Sequence, residues 1–122
     1  MSSMKYLGGY DTEIYKKYAP SFFKLTIDNQ IVGVVSGHKS DQESFRLRGI
    51  YIKKQYRKQK LSLLLFSAIS DQAKKENCSN VWSFPRDKSL QSYISAGFVQ
   101  TSKFLNTNDI KYGPNCFVIL KF

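Results

Sequence analysis

Between Phe22 and Val35 the apolar and β-branched residues fall into two short runs, Phe22–Ile27 and Ile31–Val35, parted by Asp28-Asn29-Gln30. Two such runs with turn-forming residues between them predict a β-hairpin. Gly37–Ser44 is polar and reads as a loop. Phe45–Ile52 then alternates, with Phe45, Leu47, Gly49 and Tyr51 on one face and Arg46, Arg48, Ile50 and Ile52 on the other, which predicts a strand. The clearest helix follows, because Leu61, Leu64, Leu65, Ala68, Ile69 and Ala73 recur at helical spacing. Lys74 and Lys75 stand at its C-terminal end, where the helix dipole favours cations, and Asn77 is placed to cap it in the left-handed conformation.

Asn80–Phe84 predicts a short strand ended by Pro85, and Lys88–Ser95 a second helix stopped by Gly97. Phe98–Phe104 and Cys116–Phe122 predict two further strands, joined by a polar loop containing Gly113-Pro114. Near the N-terminus, Asp11–Tyr18 reads as a short helix, with Asp11 as N-cap and Pro20 beyond its end. Helices set among several strands predict an α/β or α+β domain with a mixed sheet. The strand–helix–strand unit from Phe45 to Phe84 puts two parallel strands in that sheet, with a right-handed crossover.

At 122 residues the chain, 1–122, is expected to be a single domain, and 42% hydrophobic residues supply a real core. The longest apolar run, Leu63–Phe66, is far short of the roughly 20 residues of a membrane helix. Met1–Tyr10 has no apolar signal core, and Cys78 and Cys116 make no disulfide framework, so a cytoplasmic setting is expected. The one histidine, His38, excludes a two-His zinc motif, and no metal site is expected. Nineteen Lys and Arg against nine Asp and Glu give a net charge of +10. That charge favours an anionic partner: nucleic acid, an anionic membrane or a phosphate-rich small molecule.

The charge is densest in Lys53–Lys60, where five of eight residues are Lys or Arg. This segment leads from a strand into the N-terminus of the main helix. Free N–H groups and the dipole make such a terminus an anion site. Read alone, a basic run is most often a solvated loop. A second segment, Arg86–Phe98, carries Tyr93, Gly97 and Phe98, and a helical tyrosine is more often packing than catalysis.

Taken together, in this order and spacing, the two segments resemble the GNAT superfamily of acyl-CoA-dependent N-acetyltransferases. Tyr56-Arg57 matches the opening of the family's strand–loop–helix motif, and Leu61 and Leu63–Leu65 match its apolar helix. Tyr93, Gly97 and Phe98 match the second motif at its offsets. The likeness covers roughly Ile31–Phe104. The loop's glycine positions hold Lys58, Lys60 and Ser62, Arg86 and Ser89 replace an Asn and an Ala, and the N-terminal region is short.

The resemblance implies a GNAT-like mixed sheet flanked by helices, with acetyl-CoA as cosubstrate. It would lie between two splayed parallel strands, near Ile50, Tyr51 and Ile52 and near Val81–Ser83. The pyrophosphate would sit on the loop formed by Arg57, Lys58, Gln59, Lys60, Leu61 and Ser62, mainly on the amides of Gln59–Ser62. A small-molecule or protein amine would attack the thioester directly, and Tyr93 would protonate the departing thiolate. Phe45–Ile52 carries no carboxylate to serve as base; Asp41, Glu43 and His38 lie just upstream, each more readily read as a loop residue. Two rival readings are a GNAT-fold protein that binds CoA with little catalysis, and a basic nucleic-acid-binding module using Tyr6, Tyr10, Tyr15 and Tyr18. None of the usual nucleic-acid motifs is visible.

Overall fold

The computed structural model describes residues 18–57, 59–105 and 114–122. The expected N-terminal helix, and with it Tyr6, Tyr10 and Tyr15, lies outside the described residues apart from Tyr18, which sits in a bend. Strands β1 (Ser21–Ile27), β2 (Gln30–Lys39) and β3 (Ser44–Ile52) form an antiparallel meander. Helix α1 (Ser62–Lys75) crosses to β4 (Asn80–Ser83), which pairs with β3 in parallel. A 3-10 turn at Asp87–Ser89 leads into α2 (Leu90–Ser95), then β5 (Val99–Gln100) and β6 (Val118–Lys121). The strand order is β1-β2-β3-β4-β6-β5, a six-stranded mixed sheet.

Asp28 and Asn29 both have positive φ, 51° and 66°, and turn β1 into β2 in two residues. Two left-handed residues in succession make the hairpin turn whose twist suits the flanking strands, and Asp and Asn tolerate that conformation. Asn77, at φ 64°, ends α1 as the sequence predicts. The core lies between α1 and the sheet. Leu65, Phe66, Ile69 and Ala73 pack down onto Val35, Phe45, Leu47 and Val81. Leu64, counted on the apolar stripe in the sequence, is instead 56% exposed, and Phe66 takes the buried place.

Two sequence expectations about β2 and β3 need correction. Gly37–Lys39 is not loop but the end of β2. Gly37 marks close packing rather than a turn: a Cβ there would stand 2.7 Å from the Arg46 carbonyl oxygen and 2.7 Å from the Phe45 ring. The alternation of Phe45–Ile52 also changes phase part-way. Gly37 pairs with Leu47 but Ser36 pairs with Gly49, so Arg48 is an extra residue, a β-bulge. Phe45 and Leu47 before it, and Ile50 and Ile52 after it, therefore all reach the core, while Tyr51 points the other way and is half exposed.

The later elements are shorter than expected. Asp87–Ser89 turns as a 3-10 segment, so the second helix proper begins at Leu90. Only Val99–Gln100 of Phe98–Phe104 and Val118–Lys121 of Cys116–Phe122 are strand, with Leu105 making a single bridge to Asn115. Cys78 and Cys116 are buried free thiols. Among the described residues no helix is long and apolar enough to cross a membrane.

Candidate active site

The cleft starts where β3 and β4 part. They pair only at Ser44–Arg46 with Asn80–Trp82, after which β3 runs on to Ile52 and β4 stops at Ser83. The closed end is pinned: the Ser79 amide donates to the Glu43 carbonyl at 2.8 Å, and the Asn80 amide group donates to Ser44 Oγ at 3.1 Å. Two features open the other end. The bulge at Arg48 re-aims β3, and Pro85 brings no N–H with which to continue β4. The resulting cleft has a volume of about 980 Å³, at the upper end for small-molecule sites.

One wall is the basic loop. Lys54–Tyr56 form a 3-10 turn, and Arg57 folds back so that its Nε donates to the Ile52 carbonyl at 2.8 Å. Its guanidinium also lies 5.4 Å from the centre of the Tyr51 ring. Lys60 has φ 60°, the left-handed conformation for which glycine is better suited. No side chain caps the N-terminus of α1. The amides of Leu63 and Leu64 turn back onto the Lys60 and Leu61 carbonyls, at 3.2 and 3.1 Å, while those of Gln59 to Ser62 make no such turn bond among the described residues. An uncapped, cation-flanked helix N-terminus suits an anion.

The other wall runs from Arg86 to Ser95. Ser89, Ser92 and Ser95 face the cleft at three-residue intervals, as one stripe of a helical turn. Tyr93 stands among them but is 4% exposed. Its ring packs edge-on against Phe66 and Phe98, at centroid distances of 4.9 and 5.3 Å. Its hydroxyl lies 3.2 Å from Ser83 Oγ, and Ser83 in turn donates to the Leu47 carbonyl at 2.8 Å. Burial pushes the Tyr93 phenol up to about 12, with the hydrogen bond to Ser83 pulling weakly the other way. Tyr93 is thus a protonated phenol at neutral pH, able to give a proton and unsuited to take one.

Ile50, Tyr51, Ile52, Arg57, Lys60, Leu61, Ser62 and Tyr93 all line this one cleft. Gln59 does not, and Lys58 lies outside the described residues. Tyr56, Leu63, Arg86 and Ser89, which the sequence marked only as motif positions, also line the cleft, together with Lys88, Gln91, Ser92 and Ser95, which sequence reasoning missed. The three-residue serine spacing was the available signal for the wall they share.

A family model described as an acetyltransferase (GNAT) domain matches residues 9–114. The chain belongs to the GNAT acetyltransferase family. It is accordingly an acyl-CoA-dependent N-acetyltransferase by class. Solved GNAT structures share the fold. A GNAT acetyltransferase from Elizabethkingia anophelis with acetyl-CoA bound has a TM-score of 0.72 and 15% identity, over 92% of this chain and 84% of that one. A Bacillus anthracis protein assigned as a streptothricin acetyltransferase, in complex with acetyl-CoA, has a TM-score of 0.75 and 19% identity, over 88% and 68%. An acetyltransferase from Bacillus subtilis in complex with CoA has a TM-score of 0.70 and 15% identity, over 92% and 84%. A search of curated proteins finds no match.

In this GNAT chain the three groups considered as bases stand away from the cleft lining. Asp41 Oδ1 accepts the amides of Glu43 and Ser44, both at 2.8 Å, and so shapes the β2–β3 turn. Glu43 uses its carbonyl to pin β4. His38 is 2% exposed within β2, and its Nδ1 faces the Lys39 carbonyl at 2.7 Å. A carbonyl only accepts, so that nitrogen carries the hydrogen. Burial pushes the imidazole down, and it stays neutral at neutral pH.

Proposed function

We propose that the chain transfers the acetyl group of acetyl-CoA to an amine by direct attack, with Tyr93 as the acid for the leaving thiolate. One observation carries the reading: a single cleft runs from a cationic, uncapped helix N-terminus to a buried, protonated phenol, along the line where two parallel strands part. Acetyl-CoA supplies an activated thioester and an anionic pyrophosphate. The residues present fit both ends. Arg57 and Lys60 stand beside the amides of Gln59–Ser62, in reach of the phosphates, and Lys60 holds the left-handed backbone that the family's glycine provides. Ile50 and Ile52 give the cleft an apolar side, and Tyr93 holds its proton at the phenol oxygen.

The reading of CoA binding with little turnover also has an observation in its favour: among the described residues no Asp, Glu or His lines the cleft. The test separates the two. CoA at a hundredfold its Kd should add about 2.7 kcal/mol of stability, read as a rise in melting temperature. No rise at millimolar CoA in a folded sample would sink both readings. Tyr93→Phe keeps the ring and removes the proton. General acid catalysis is worth ~10²–10⁴-fold, so kcat should fall at least tenfold with little change in CoA affinity. Turnover at the wild-type rate in that variant, with chemistry rate-limiting, would make Tyr93 a packing residue only.

A further inference from the structure

Ser83 is 3% exposed and does not line the cleft, yet its hydroxyl touches two groups of consequence. It lies 2.8 Å from the Leu47 carbonyl oxygen and 3.2 Å from the Tyr93 hydroxyl. A serine hydroxyl has one hydrogen, and a carbonyl can only accept. With the contact between the two hydroxyls kept as a hydrogen bond, the trio has two arrangements. In the first, Ser83 donates to Leu47, and Tyr93 spends its own hydrogen on Ser83 Oγ. In the second, Ser83 donates to the Tyr93 oxygen, and the phenol hydrogen is released toward the cleft. Only the second presents an acid to a ligand.

We propose that Ser83 is a positioning residue for the leaving-group proton, its hydroxyl turning from the Leu47 carbonyl to the Tyr93 oxygen as Tyr93 protonates the thiolate. This deepens the reading above and rests on Tyr93 being the acid. In the step, the bond from the amine nitrogen to the acetyl carbon forms and the carbon–sulfur bond breaks. Sulfur takes the phenol hydrogen. Ser83 keeps its own hydrogen and only redirects it. Tyr93 then regains a proton from solvent, which also receives the one the amine sheds. During the step a negative oxygen stands against Phe66 and Phe98, whose rings offer it no hydrogen. The Ser83 hydroxyl is the donor placed to hold it, and a hydrogen bond to a charged group is about twice as strong as a neutral one. The position of Ser83 makes the switch feasible. It is the last residue of β4, where pairing with β3 has ended, so the Leu47 carbonyl lies at the gap rather than inside a continuous ladder.

The first test needs no acceptor. The tyrosines are replaced by 3-fluorotyrosine, and the Tyr93 signal is assigned in ¹⁹F NMR by its loss in Tyr93→Phe. Its ionisation is then followed in alkali. Ser83→Ala should raise the pH of ionisation by about one unit, since one charge-assisted hydrogen bond is lost, and Ser83→Thr should restore it. If the void in Ser83→Ala prevents folding, Ser83→Cys fills it with a poorer donor and should shift the titration the same way. An unchanged or lowered ionisation pH would show the hydroxyl committed to Leu47 and overturn the proposal. The second test uses acetyl-CoA turnover with a panel of primary amines. Ser83→Ala should lower kcat at least tenfold with KM for acetyl-CoA unchanged, and should cost nothing more in the Tyr93→Phe background. Full activity in Tyr93→Phe would remove the acid itself. A slow Tyr93→Phe beside an unshifted Ser83→Ala titration would remove the serine's role alone.

Discussion

The wall of the cleft that carries Lys54–Leu63 is largely exposed, cationic and shaped by main-chain turns, whereas the wall that carries Tyr93 is continuous with the core. On the first wall, residues suited to holding a ligand contribute little to folding. On the second, Tyr93 forms an aromatic triad with Phe66 and Phe98 and at the same time lines the cleft. Changes to the first wall should therefore alter affinity and leave stability nearly intact, while changes to the second should move stability and chemistry together.

The sharpest break of that contrast comes from Phe66, which is 3% exposed. Phe66→Ala should cost about 3–5 kcal/mol, measured as a lower denaturant midpoint, and should loosen Tyr93 with it. A loss under ~1 kcal/mol would mean that the triad is not the anchor of that wall.

Alkali gives the next largest effect. Below pH 10 the Tyr93 phenol is protonated in both folded and unfolded chains, and its contribution is intact. Between the ordinary value of 10.0 and about 12 the unfolded chain sheds the proton while the folded chain keeps it. Stability should fall by about 2–3 kcal/mol across that window, and less in Tyr93→Phe, which has no proton to shed. Parallel stability curves for the two proteins from pH 9 to 12 would show that burial does not hold the proton.

The exposed wall should respond only mildly. Ser62→Asp puts a carboxylate at the N-terminus of α1, which favours the helix but competes for the phosphate. CoA affinity should fall about tenfold by calorimetry, or ~1.4 kcal/mol, and Lys54→Ala should cost less. Wild-type affinity in Ser62→Asp would place the phosphate elsewhere. Smallest of all, Lys60→Gly relieves the left-handed strain at φ 60° and should raise stability by about 0.5 kcal/mol, read as a higher melting temperature. A drop would mean that the lysine side chain holds the loop.

The same contrast decides what was legible in the sequence. The helix from Leu61 onward and its Asn77 cap are local patterns, and the structure bears them out, as it does the parallel β3–β4 pair that follows from the strand–helix–strand order. The bulge at Arg48 was not legible, because it exists only as a register difference between β2 and β3 once they pair. Gly37 looked like turn punctuation because the ring of Phe45 that demands it is eight residues away. The resemblance put Ser83 only on a strand beside the cosubstrate; its hydrogen bonds were not legible, because its two partners come from β3 and from α2.

The crossover that joins β3 to β4 has a kinetic consequence. The meander β1–β2–β3 is closed by short turns, but the cleft exists only after α1 has formed and β4 has returned to dock beside β3. Contacts between distant segments carry the larger loop-closure cost and are expected late on the folding path. A molecule that spans the parted strands would then recognise the finished sheet and not the meander alone. Its effect should appear almost wholly as slower unfolding, with the refolding rate unchanged. For a marginal domain of 122 residues, the cosubstrate would act as a clamp on the lifetime of the folded chain.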